Sequence, residues 1–95
     1  GGEEFILLLP SCDLPSAISV AEKCVHALNQ IDTSETGHEF MVSASFGIST
    51  SNESGYDMEI LMVHADEAMY FSKENGKNQY TTYSDLIKLQ RGDEA

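Results

Sequence analysis

Phe40-Met41-Val42-Ser43-Ala44-Ser45-Phe46-Gly47-Ile48-Ser49 alternates large apolar residues with mostly small ones, and that alternation decides the fold. Successive side chains of a strand point to opposite sides, so Phe40, Val42, Ala44, Phe46 and Ile48 share one strongly apolar face. Met41, Ser43, Ser45, Gly47 and Ser49 make the other, whose small residues leave room for close packing. Residues 50–55 then read as a loop. Asp57 reads as the N-cap of a long helix, with Tyr56 and Leu61 placed as a hydrophobic staple and Glu59 favourable to the helix dipole. The buried face of that helix is expected to be Met58, Leu61, Ala65, Ala68, Met69 and Ser72, and Gly76 suits the left-handed residue that ends it. Gln79-Tyr80-Thr81-Thr82-Tyr83 reads as a short strand. Ser84 is expected to cap a last weak turn before a charged, frayed tail.

Working back toward the start, Glu4-Phe5-Ile6-Leu7-Leu8-Leu9-Pro10 is a nearly continuous apolar run closed by proline. Such a run predicts a strand covered on both faces, in the middle of a sheet. Asp13 is placed to cap a helix beginning near Pro15 and ending near Gln30, with Ile18, Ala21, Val25 and Leu28 along one side. Asp32-Thr33-Ser34-Glu35-Thr36-Gly37 has turn formers and no periodicity, so it reads as a loop.

The chain has 95 residues, enough for one domain or a piece of one but not for two covered cores. It contains no apolar run long enough to cross a bilayer. It opens on glycines and glutamates rather than an initiator Met, which raises the expectation of further polypeptide upstream. Cys12 and Cys24 match neither a metal-binding pattern nor a disulfide framework and read as reduced thiols. A formal net charge of −11 argues against general nucleic-acid or anionic-membrane binding, since either needs a basic footprint. The few cations are unevenly spread: Lys23 stands alone in the first two thirds, and Lys73, Lys77, Lys88 and Arg91 follow. An anion site should therefore lie near the late lysines.

Chemistry concentrates at the two ends of this pattern. In Gly1-Gly2-Glu3-Glu4-Phe5, the glycines let the backbone turn and lie against a ligand, while adjacent carboxylates at a strand end offer oxygen ligands to a hard cation. The combination points to metal-assisted handling of phosphates. His26, His38 and His64 show no ligand spacing and read as ordinary polar residues, and Met58, Met62 and Met69 read as core or near-core packing.

These five residues, the Ser45-Phe46-Gly47-Ile48-Ser49 strand and the helix end Ala65-Asp66-Glu67-Ala68-Met69-Tyr70-Phe71-Ser72-Lys73-Glu74-Asn75-Gly76-Lys77-Asn78 resemble, in order and approximate spacing, three signatures of the GGDEF family. The later two correspond to that family's S-x-G-I strand and A-D-x-A-x-Y-x-A-K-x-x-G-[RK]-N helix end. The resemblance implies an α/β fold, more closely an α+β palm-like domain with a ferredoxin-like or adenylyl-cyclase-like sheet, here incomplete. Residues 1–83 would be the C-terminal part of the domain and 84–95 a partly frayed extension.

The activity implied is that of a diguanylate cyclase, which condenses two GTP molecules into cyclic di-GMP in bacterial signalling. The alternative is a degenerate member that binds GTP or docks a partner without turnover. By resemblance, Glu3 is a metal ligand and the catalytic proton acceptor, Glu4 a second metal ligand, and the cofactor magnesium or manganese. Gly1 and Gly2 form the turn along which the nucleotide lies, and Lys73 and Lys77 contact its phosphates. Lys77 stands where many members carry Arg, and it lacks the bidentate fork of a guanidinium.

The implied partners are GTP, a second GGDEF domain in a homodimer and an upstream sensory or receiver domain. The implied location is the cytoplasm, with an inner-membrane anchor upstream as an option. The family's other metal-binding Asp, its guanine-recognising Asn and Asp and the inhibitory R-x-x-D precede the motif and are not in this sequence. The expectations that follow are no cyclisation by the isolated fragment and open strand edges that invite pairing with another chain.

Overall fold

The computed structural model describes residues 6–37 and 42–92. Helix α1 runs Leu14–Asn29, a 3-10 turn covers Ser34–Thr36, strand β1 is Ser45–Ile48, and a one-turn helix α2 is Ser51–Ser54. Helix α3 follows as Met58–Glu74, then strand β2 as Gln79–Thr82 and helix α4 as Tyr83–Gln90.

The sheet has two parallel strands, with Ser45 opposite Gln79, Phe46 opposite Tyr80, Gly47 opposite Thr81 and Ile48 opposite Thr82. Parallel neighbours need a long crossover, and here α2 and α3 supply it. Helix α3 lies on both strands and is the main packing partner of β1. The small face read from the sequence is what permits this. A Cβ on Gly47 would overlap the carbonyl oxygen of Ala65 and the amide nitrogen of Met69, so the helix backbone rests directly on the strand. Ala68 and Ser72 are fully buried beside that contact.

The buried hydroxyls of Ser72, Thr81 and Thr82 in this layer are all hydrogen-bonded, as burial requires. The Ser72 hydroxyl donates to the Phe46 carbonyl at 2.8 Å and lies 2.7 Å from the Thr81 hydroxyl. Ser49 donates to the Leu61 carbonyl at 2.6 Å, fixing the first turn of α3 over the end of β1. Leu86 on α4, Ala21 on α1, Thr81 and Thr82 are the other buried residues among those described.

Local signals set the helix starts. The Asp13 carboxylate accepts from the Ser16 amide at 2.9 Å with Pro15 in the first turn, and the Asp57 carboxylate accepts from the Glu59 amide at 2.9 Å. Hydrogen bonds from the Ser16 side chain, then its backbone amide, hold the Asp13 carboxyl below the usual carboxylate range. The Schellman bond from the Lys77 amide to the Ser72 carbonyl, 2.9 Å, closes α3 with Gly76 left-handed.

Several expectations differ from what is observed. Residues 6–9 form no strand, and Ile6, Leu7 and Leu8 are 71%, 68% and 64% exposed. An apolar run becomes a central strand only when flanking strands bond its edges, and among the described residues none does. Residues 51–54 close a helical turn in place of a loop. The staple is not made, because Tyr56 is 89% exposed. Met58 and Met62 are exposed as well, leaving Ala68 and Ser72 as the deepest positions of α3. The last element is a two-turn helix capped by the Thr82 hydroxyl, which accepts from the Asp85 amide at 3.1 Å, rather than a weak turn capped by Ser84.

Candidate functional site

Gly1, Gly2, Glu3 and Glu4 lie outside the described residues, as does His38. The described part of the candidate site is the C-terminal end of α3 and the turn that follows. Lys73 is in the last turn of the helix and exposed. Lys77 is also exposed but belongs to the turn, four residues on, where Gly76, Lys77 and Asn78 have φ of 115°, 61° and 51°. Three consecutive residues thus adopt the left-handed region, which is uncommon for residues with a Cβ.

The turn is tied to the helix it leaves. The Asn75 amide donates to the Phe71 and Ser72 carbonyls at 3.0 and 3.3 Å, and the Asn75 side chain donates to the Phe71 carbonyl at 2.9 Å. Gln79 reaches back from β2, its side-chain amide donating to the Asn75 carbonyl at 2.6 Å and to the Ser72 carbonyl at 3.3 Å. Sequence reading missed Gln79; its only visible signal was a long amide placed just after a helix-ending glycine.

Electrostatically, the end of α3 is the negative end of a helix dipole, favourable to cations, and Lys73 and Lys77 are the nearby positive charges. Two surface hollows among the described residues border this helix end and turn. One of about 430 Å³ between α3 and α4 is lined by Asp66, Glu67 and Glu74 with Tyr70 and Leu86, and one of about 400 Å³ between α1 and β2 by Glu22, His26 and Asn78 among others. Their carboxylates make both poor hosts for a phosphate, so the exposed lysines outrank them as an anion site.

Among the described residues no cluster of three or more His, Cys, Asp or Glu side chains could hold a metal ion. His64, read as an ordinary polar residue, stacks on Tyr83 with ring centres 3.8 Å apart, and its Nδ1 is 2.7 Å from the Ser54 hydroxyl, so it joins α2, α3 and α4. Cys12 and Cys24 are not in a disulfide. No helix among the described residues is long and apolar enough to cross a membrane.

Comparison with known proteins places this geometry in context. Residues 1–79 match the family described as "Diguanylate cyclase, GGDEF domain". The chain is 39% identical over 80 residues to the bifunctional diguanylate cyclase/cyclic di-GMP phosphodiesterase MucR of Pseudomonas aeruginosa, covering 84% of this chain and 12% of that protein. It is 36% identical over 83 residues to the probable diguanylate cyclase DgcE of Escherichia coli, covering 87% of this chain and 8% of that protein. The response regulator PleD of Caulobacter vibrioides is 35% identical over 80 residues, 82% of this chain and 18% of that protein. The chain therefore spans less than a fifth of the length of these relatives. No solved structure matches it.

Proposed function

Because the chain belongs to the GGDEF diguanylate cyclase family, we propose that the full-length gene product joins two GTP molecules into cyclic di-GMP. The observation that carries this reading is the match over residues 1–79, which takes in both the Gly1-Gly2-Glu3-Glu4-Phe5 motif and the lysines at the end of α3.

The reaction is two like displacements. The 3′-oxygen of each nucleotide bonds to the α-phosphorus of the other, the bond from that phosphorus to the bridging oxygen breaks, and pyrophosphate leaves with the electron pair. Two copies of the domain, each holding one GTP, bring the nucleotides face to face. Gly1 and Gly2 let the backbone lie along the nucleotide without a side chain in the way. Glu3 accepts the proton of the attacking hydroxyl. Lys73 and Lys77 neutralise the phosphates, as point charges whose reach is set by the helix end and its turn.

Glu3 and Glu4 present hard oxygen donors suited to magnesium or manganese, and the cation would supply positive charge against the phosphates. The test is Glu3→Gln in the full-length gene product, which keeps shape and removes charge. Cyclic di-GMP synthesis is expected to fall by at least about a hundredfold with the fold intact. Wild-type turnover would remove Glu3 from the site.

A further inference from the structure

We infer that Gln79 is a positioning residue for Lys77, holding the left-handed turn that aims this lysine at phosphate. The inference rests on the reading of Lys77 as a phosphate contact.

Lys77 is not a helical residue, so the regular backbone of α3 does not set the direction of its side chain; the turn does. That turn asks Lys77 and Asn78, both carrying a Cβ, to follow Gly76 into the left-handed region. A glycine accepts such a φ readily, but a lysine there needs restraint from its surroundings. One restraint is internal, the bond from the Lys77 amide to the Ser72 carbonyl.

The other comes from Gln79. Its side-chain amide bridges the Ser72 and Asn75 carbonyls at 3.3 and 2.6 Å, tying the end of α3 to the residue that follows the turn. Gln79 is itself held by the sheet, as the first residue of β2 in register with Ser45. The Ser72 carbonyl thus receives the Lys77 amide and the Gln79 amide together, while the Ser72 hydroxyl is bonded to the Phe46 carbonyl of β1. Helix end, turn and sheet register are locked through one residue on each side of Lys77, and freeing the Gln79 end lets the lysine sample directions that miss the phosphate.

The experiment is a double-mutant cycle in the full-length gene product with Gln79→Met, which keeps side-chain length and removes the donor, and Lys77→Ala. Steady-state kinetics with GTP and thermal melting are recorded for all four proteins. Expected are a KM raised roughly fivefold by Q79M at nearly unchanged kcat, the size of one lost hydrogen bond, and no further rise when Q79M is added to K77A. A Q79M effect as large without Lys77 as with it would overturn the inference, as would kcat falling in step with the melting temperature. If K77A leaves KM at the wild-type value, the reading of Lys77 itself fails, which is a different outcome from an inert Q79M beside an effective K77A.

Discussion

Residues 6–9 are more apolar than strand β1, yet they are the more exposed of the two. Ile6, Leu7 and Leu8 are open to solvent, whereas every residue of β1 is at least partly covered by α3 and β2. What separates them is the partner that each side chain pattern admits. Gly47 and the single serine of β1, Ser45, leave one face small enough for a helix backbone to settle on it, and β2 bonds its edge. The bulky branched side chains of Ile6, Leu7, Leu8 and Leu9 offer no such close approach, and no strand pairs with them among the described residues. Hydrophobicity alone therefore does not place a strand; a neighbour that bonds its edge does.

Gly47 is where this contrast breaks most sharply. Gly47→Ala puts a methyl group into the α3 backbone and is expected to destabilise the protein by about 3 kcal/mol or more, since neither main chain can yield cheaply. Urea unfolding of the variant measures this; a loss within experimental scatter would mean that α3 does not lie against β1 as described. Ser72→Ala should cost about 1 to 3 kcal/mol by removing the Ser72 partner of the part-buried Phe46 carbonyl and of the buried Thr81 hydroxyl, and adding Thr81→Val should recover part of it. A single variant as stable as wild type would show that this network is replaceable.

The exposed segment behaves differently. Replacing Ile6 and Leu8 with Ser should change unfolding free energy little, within about 0.5 kcal/mol, yet reduce self-association of the 95-residue polypeptide in sedimentation at micromolar concentration. Equal association in both forms would locate the sticky surface elsewhere. The smallest effect concerns Asp13. Its carboxyl is depressed in the folded state, so its contribution is present above the unfolded value of 3.8 and is lost as pH falls below that through the folded value. Asp13→Asn, a competent cap without the titration, should flatten that part of the acid unfolding profile.

The C-terminal half was the more legible in sequence because its signals are local. Asp57 at a helix start, Gly76 at its end and the small face around Gly47 each act through neighbours a few residues or one strand away. The same is true of Asp13 and the length of α1. Residues 6–9 misled because an apolar run specifies burial without naming what buries it. The Tyr56 staple failed for a related reason, since spacing permits that contact but does not enforce it. At the candidate site Lys73 and Lys77 were visible as isolated cations in an acidic chain, whereas Gln79 was hidden: its role depends on the register of β2 against β1, which no local motif carries.

We propose that the β1–α3–β2 layer holds Lys73 and Lys77 for the phosphates of GTP. Hydrogen–deuterium exchange on the full-length gene product, with magnesium and a GTP analogue unreactive at its α-phosphate, tests it most directly. The account predicts added protection in the peptide over residues 72–79, with the middle of α1 unchanged. Nucleotide binding that leaves residues 72–79 exchanging at their free rate would contradict it.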